Sequence, residues 1–183
     1  MLIRIIPVGN IPAKALEEIP HELTAAFHCH IKVLPKLEVP KEAFNQWRKQ
    51  FDGAKVMDLL TKDGEGVYID KEIPALFITD ADIYYQGMNY VFGLENPTQA
   101  TAIVSIARLL PEYYGGSPNL FVLKERILKE CIHEIGHHLG LDHCRHPFCV
   151  MSFSPSIKDV DAKHKNFCAN CKLKLSMKGK DVE

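Results

Sequence analysis

Residues Cys131 to Met151 read CIHEIGHHLGLDHCRHPFCVM. Five histidines, three cysteines and a glutamate crowd this stretch, more metal-binding chemistry than one ion can use. Upstream, Leu123, Ile127, Leu128, Ile135 and Leu139 recur at helical spacing, which predicts a long helix over 120–139. Gly140 is placed for a left-handed cap at its end. On such a helix His133 and His137, four residues apart, share one face and can grip a single ion. Glu134 lies beside them, within reach of a water on that ion. Past Gly140 the chain can turn sharply and bring His143 back as a third nitrogen ligand.

Three protein ligands leave the fourth position of tetrahedral zinc open, the mark of a catalytic site. Zinc lowers the pKa of bound water to roughly 7 and polarises a carbonyl. Glu134 is the candidate general base, taking a proton as water attacks and passing it to the leaving amine. The chemistry expected is hydrolysis of a peptide bond. His138 and His146 fall outside this pattern; His138 is expected near the surface or behind the ligands, and His146 in a loop.

A second donor set follows. Cys168 and Cys171 form CANC, a spacing that lets two thiolates share an ion, and Cys144 and Cys149 supply a wider pair. Four thiolates saturate tetrahedral zinc and leave no room for substrate, so this set is expected to be structural. Two zinc ions per chain are therefore expected. Cys131 lies too far up the helix to join, and Cys29 is expected as a small buried residue at a helix end.

The chain has 183 residues, suited to one domain, with nine histidines and six cysteines as its main compositional departure. A net charge of -1 gives no reason to expect nucleic acid as a partner. Four lysines near the end (Lys172, Lys174, Lys178, Lys180) lend some support to a nucleic-acid-binding zinc ribbon, but such a terminus is usually just solvated. The opening MLIRIIPVGNIP is too short and too interrupted for a signal peptide or a membrane helix. The expectation is a cytoplasmic monomer acting on a peptide or protein, with its cysteines reduced.

Along the chain, strands are predicted at 2–8, 31–37, 74–85, 88–95 and 100–109. Helices are predicted at 12–27, with Pro20 kinking or restarting the run, and at 41–62. DGEG at 63–66 reads as a turn. After Leu141 only a short helix near 156–165 is expected. This order predicts an α/β or α+β domain with a mixed sheet. It divides into sheet and helices over 1–140 and a zinc-held segment over 141–183.

HEIGHHLGLDH, with Met151 and the cysteines beyond it, resembles the metzincin zinc metallopeptidases, and the archaemetzincins in particular. FNQWRKQFDG, NYVFGLE and IVSIARL look like segments of that family too. The resemblance implies a twisted sheet with one antiparallel edge strand, here MNYVFGLE, on which an extended substrate adds as a further strand. It also implies His133, His137 and His143 as catalytic zinc ligands, Glu134 as base, and Cys144, Cys149, Cys168 and Cys171 around a second zinc. Met151 becomes the Met-turn methionine, an apolar floor under the imidazoles. The competing expectation is a zinc-stabilised binding protein that keeps these ligands but hydrolyses little or nothing.

Overall fold

The computed structural model describes residues 1–61, 73–180 and 182. Five strands form the main sheet: β1 (Leu2–Val8), β2 (His30–Val33), β5 (Ala75–Thr79), β7 (Gly93–Asn96) and β8 (Thr101–Ser105). Their order is β2-β1-β5-β8-β7. All neighbours are parallel except β7, which runs antiparallel to β8 and ends the sheet. This is the mixed sheet that the order of elements predicts, with the one antiparallel edge strand that the family resemblance implies.

The central strands ALFIT and TAIVS are buried along their whole length because both sheet faces are covered. Alternate residues go to opposite sides. Ile3, Ile5, Leu76, Ile78, Ala102 and Val104 join one core; Ile6, Val8, Phe77 and Ile103 join the other. Each of these side chains larger than alanine contributes on the order of 1.5–3 kcal/mol by leaving water. The first core packs under α2 (Ile19–Phe27) and α4 (Leu120–His138); the second under α3 (Gly53–Leu60). The stripe Leu123, Ile127, Leu128, Ile135 and Leu139 is buried as its spacing requires. Among the described residues no helix is long and apolar enough to cross a membrane.

Several boundaries differ from the sequence reading. The helix expected over 12–27 is two pieces, α1 (Ala13–Leu16) and α2, restarting where Pro20 occupies the first turn. The strand expected over 31–37 runs only over 30–33. Leu37 continues it as a lone bridge to Val8.

Of the helix expected over 41–62, residue 62 lies outside the described residues, and among the others it forms only at 53–60. Before it a 3-10 turn leads into a hairpin of β3 (Phe44–Asn45) and β4 (Gln50–Asp52). The Asn45 side chain accepts from the Trp47 and Arg48 amides, and Lys49 takes a left-handed φ of 57°, so the chain reverses. Phe44 and Phe51 then pack across the hairpin at 4.9 Å, and Trp47 is 99% exposed at its tip. Asp52 caps the true helix by accepting from the Lys55 amide.

The strand expected over 74–85 breaks after Thr79, whose hydroxyl accepts from the Ala81 amide. β6 (Ile83–Tyr84) resumes in a second sheet, ordered β3-β4-β6. MNYVFGLE is extended sheet only from Gly93. The DGEG turn at 63–66 lies outside the described residues. The last part of the chain is less irregular than expected: α5 (Ile157–Ala162) is followed by a helix absent from the sequence reading, α6 (Ala169–Met177).

Candidate active site and cysteine cluster

Helix α4 starts at Asn119, whose side chain accepts from the Val122 amide, and crosses beneath β7 and β8. At its far end the Gly140 amide bonds the His137 carbonyl and the Leu141 amide bonds the Gly136 carbonyl, with Gly140 at φ 83°. Only glycine adopts that geometry cheaply, and it sends the chain back towards the helix.

The return places His143 beside His133 and His137, with ring centroids 5.3 and 4.8 Å away. One ring nitrogen from each histidine lies within 4.8 Å of the others. Nδ1 of His133 donates to the Val150 carbonyl and Nδ1 of His137 to the Leu141 carbonyl, each at 2.8 Å. These bonds fix the tautomer and leave both Nε2 atoms as bare lone pairs, yet the two Nε2 atoms face each other at 3.0 Å. Two acceptors at that distance repel unless a cation lies between them. Burial, and then the Lys163 ammonium, hold the His133 imidazole well below its usual pKa, so a proton is a poor candidate for that cation. A zinc ion fits: tetrahedral ligands about 2.0–2.1 Å from it stand roughly 3.3 Å apart.

Met151 is wholly buried under this group, and its sulfur packs so closely on Gly136 that a methyl there would overlap it. Phe153 covers the outer side, 5.0 Å from the His143 ring. Glu134 is buried against Gly93 of β7, where any side chain would collide with its carboxylate. Burial, and then the neighbouring Glu130, push its carboxyl well above the usual range, while Lys163 opposes them.

The four cysteines Cys144, Cys149, Cys168 and Cys171 also converge, with Sγ atoms within 4.8 Å of one another. Cys144 to Cys168 and Cys149 to Cys171 are each 3.7 Å apart. That is far beyond a disulfide bond of about 2.05 Å. It matches the edge, about 3.8 Å, of a tetrahedron of thiolates at 2.3 Å from zinc. Cys168 caps α6, so the CANC pair is delivered by the first turn of that helix. Cys131 and Cys29 are buried in the core and His138 is half-buried, all apart from both clusters, while His146 is exposed in the loop, its side chain outside the ligand set and its amide donating to the Cys144 sulfur at 3.4 Å.

A cleft of about 640 Å³ runs over the histidines, between residues 85–95 on one wall and 153–155 on the other. The Tyr90 hydroxyl donates to the Pro155 carbonyl at 2.8 Å and ties the walls together. Arg108 stacks on the Tyr90 ring at 4.3 Å and is itself held by both oxygens of Asp82.

Glu130, Glu95 and Lys163 are missing from the sequence reading. Glu130 had a signal, since 130, 133, 134 and 137 mark one helix face. Lys163, brought in by α5, had none. Arg126 pins α5 to α4 through both oxygens of Asp161, and Lys163 then reaches Glu130 at 2.8 Å.

A profile of peptidase family M54 matches residues 14–177. An archaemetzincin of Methanocaldococcus jannaschii is 41% identical over 179 residues, covering 98% of this chain and 95% of that one. One from Pyrococcus abyssi is 38% identical over 182 residues, covering 95% and 94%. Among solved structures, a zinc-dependent peptidase from Methanocorpusculum labreanum superposes with a TM-score of 0.84 at 30% identity, covering 94% of this chain and 99% of that one. Archaemetzincin from Archaeoglobus fulgidus, complexed with malonate, gives 0.80 at 34% identity, covering 95% and 99%. On these similarities, the chain belongs to the archaemetzincins of peptidase family M54 and is a zinc metallopeptidase.

Proposed function

We propose that the protein hydrolyses peptide bonds in the cleft over α4, with His133, His137 and His143 holding a catalytic zinc and Glu134 as general base. The observation that carries this is the paired Nε2 atoms of His133 and His137, both stripped of protons and facing each other beside a buried glutamate. Zinc held there supplies Lewis acidity, which acidifies water and polarises the scissile carbonyl. The free edge of β7 offers main-chain donors and acceptors to an extended peptide, which adds as a strand. Gly93 lets that strand approach Glu134 closely. Glu134 accepts the proton of the attacking water at its carboxylate and returns it to the departing amine. Its raised affinity for protons suits both halves of that task. Met151 and Phe153 shape an apolar surround for the three imidazoles.

The four cysteines hold a second, structural zinc, giving two per chain. Their free state in the fold fits a reducing, cytoplasmic setting. Replacing Glu134 with Gln tests the reading. Zinc content should stay unchanged while turnover of a diverse peptide set falls by about 10²–10⁴. Wild-type turnover in that variant would remove Glu134 from its role. Peptides bound yet left intact by the zinc-loaded wild type would favour a binding protein instead.

A further inference from the structure

Among the described residues three carboxylates line the cleft, those of Glu95, Glu130 and Glu134, and no lysine or arginine does. Two of the three are accounted for. Glu130 is neutralised from behind by Lys163, and Glu134 is assigned to the reacting water. Glu95 is left.

The position of Glu95 follows from sheet register. It pairs with Ala102, and Gly93 pairs with Val104. Ala102 and Val104 belong to the core under α4, whereas Leu94 and its partner Ile103 belong to the opposite core. Gly93 and Glu95 therefore face α4 together, two residues apart on one strand. At a rise of about 3.4 Å per residue, Glu95 stands roughly 7 Å along β7 from the glycine that touches Glu134. A peptide laid along β7 brings the group about two residues from its reacting carbonyl to this point.

One oxygen of Glu95 is sealed from solvent without a hydrogen-bond partner, while the residue as a whole is only half-buried and lines the cleft. Burial raises its proton affinity, the sign of a carboxylate short of compensation. Such a group costs stability unless something pairs with it, and nothing in the cleft wall does.

We infer that Glu95 is a specificity residue, which pairs with a substrate cation close to the scissile bond: a lysine or arginine side chain, or the peptide's own α-ammonium. The inference rests on the cleft being a peptidase site, and its test is arranged so that the two can fail separately.

Hexapeptides carrying one lysine, scanned through each position, are bound to zinc-loaded protein in which Glu134→Gln prevents turnover. Each has a norleucine counterpart, and each is made with a free and an acetylated N-terminus. Lysine at one position should tighten Kd by roughly tenfold over norleucine, the scale of one charge-assisted hydrogen bond. A gain that survives acetylation identifies a side chain; a gain lost on acetylation with norleucine throughout identifies the terminus. Adding Glu95→Gln should abolish the gain, and Glu95→Lys should reverse it in favour of glutamate at the same position. Circular dichroism and zinc content establish that both variants fold. Binding indifferent to charge, a preference that outlives Glu95→Gln, or no binding by any peptide would each overturn the inference. The same peptides are then offered to wild-type protein. Hydrolysis without any cation preference overturns this inference alone, and a Glu95-dependent preference without hydrolysis overturns the peptidase reading alone.

Discussion

Lys163 and Glu130 form an ion pair from which water is excluded, with Nζ and Oε1 2.8 Å apart and side chains 0% and 4% exposed. Apart from each other, neither atom has a hydrogen-bond partner. Removing one member strands the other's charge in a dry interior, which costs about 3–5 kcal/mol. Lys163→Met is therefore expected to lower stability by that order at neutral pH, and Lys163→Met with Glu130→Gln to recover most of it. Denaturant melts of the single and double variants check this. Equal losses in both would mean that Lys163 matters only for packing.

The cysteine cluster ties the last forty or so residues to the end of α4. Cys149→Ser is expected to lower the melting temperature by on the order of 10 °C or more, as loss of several kcal/mol does in a chain of this size. Cys144→Ser is expected to cost activity as well, since His143 precedes it directly. Unchanged melting in both variants would count against a structural ion.

The two donor sets should part company under chelation. The histidine set opens on a cleft, whereas four thiolates would complete the shell of a tetrahedral ion by themselves. Increasing chelator is expected to abolish peptide cleavage first, with one zinc lost per chain and little change in melting. The second zinc should leave only at higher chelator, together with the fold of the C-terminal part. Metal analysis at each step, beside the melt, decides it; simultaneous loss of both ions would contradict the order.

Glu95 makes stability depend on pH in a definite direction. Its folded pKa is raised by burial, so its contribution is complete below the ordinary glutamate value of about 4.3 and is lost as pH rises through the folded value. Glu95→Gln, which stays neutral, is expected to melt above the wild type at pH 7, with the gap closing towards pH 4. A gap independent of pH would show that the carboxylate titrates normally.

Around α4 the structure follows the periodic and chemical signals of the sequence. The α4 stripe, the Gly140 cap, and the convergence of His133, His137 and His143 all depend on local spacing, so they could be read directly. The hairpin at 44–52 could not. Its apolar residues mimic a helical period, and the choice fell to the Asn45 side chain and a left-handed Lys49, details that spacing does not encode. Helix α6 was hidden for another reason: it buries only Cys171 and Leu175, so it lacks a strong apolar face. Lys163 reaches Glu130 through the packing of α5, and Glu95 reaches the cleft through the register of β7. Neither relation is visible within a window of sequence.

A strand left open at the end of a sheet invites other chains to join it, and a second copy of the same protein is the nearest candidate. β7 is only four residues long, it has a glycine at one end and a carboxylate inside, and Pro97 follows it at once. These are features that discourage edge-to-edge growth of sheets. They leave a few rungs open, enough for a peptide to settle briefly and too few to seed an aggregate.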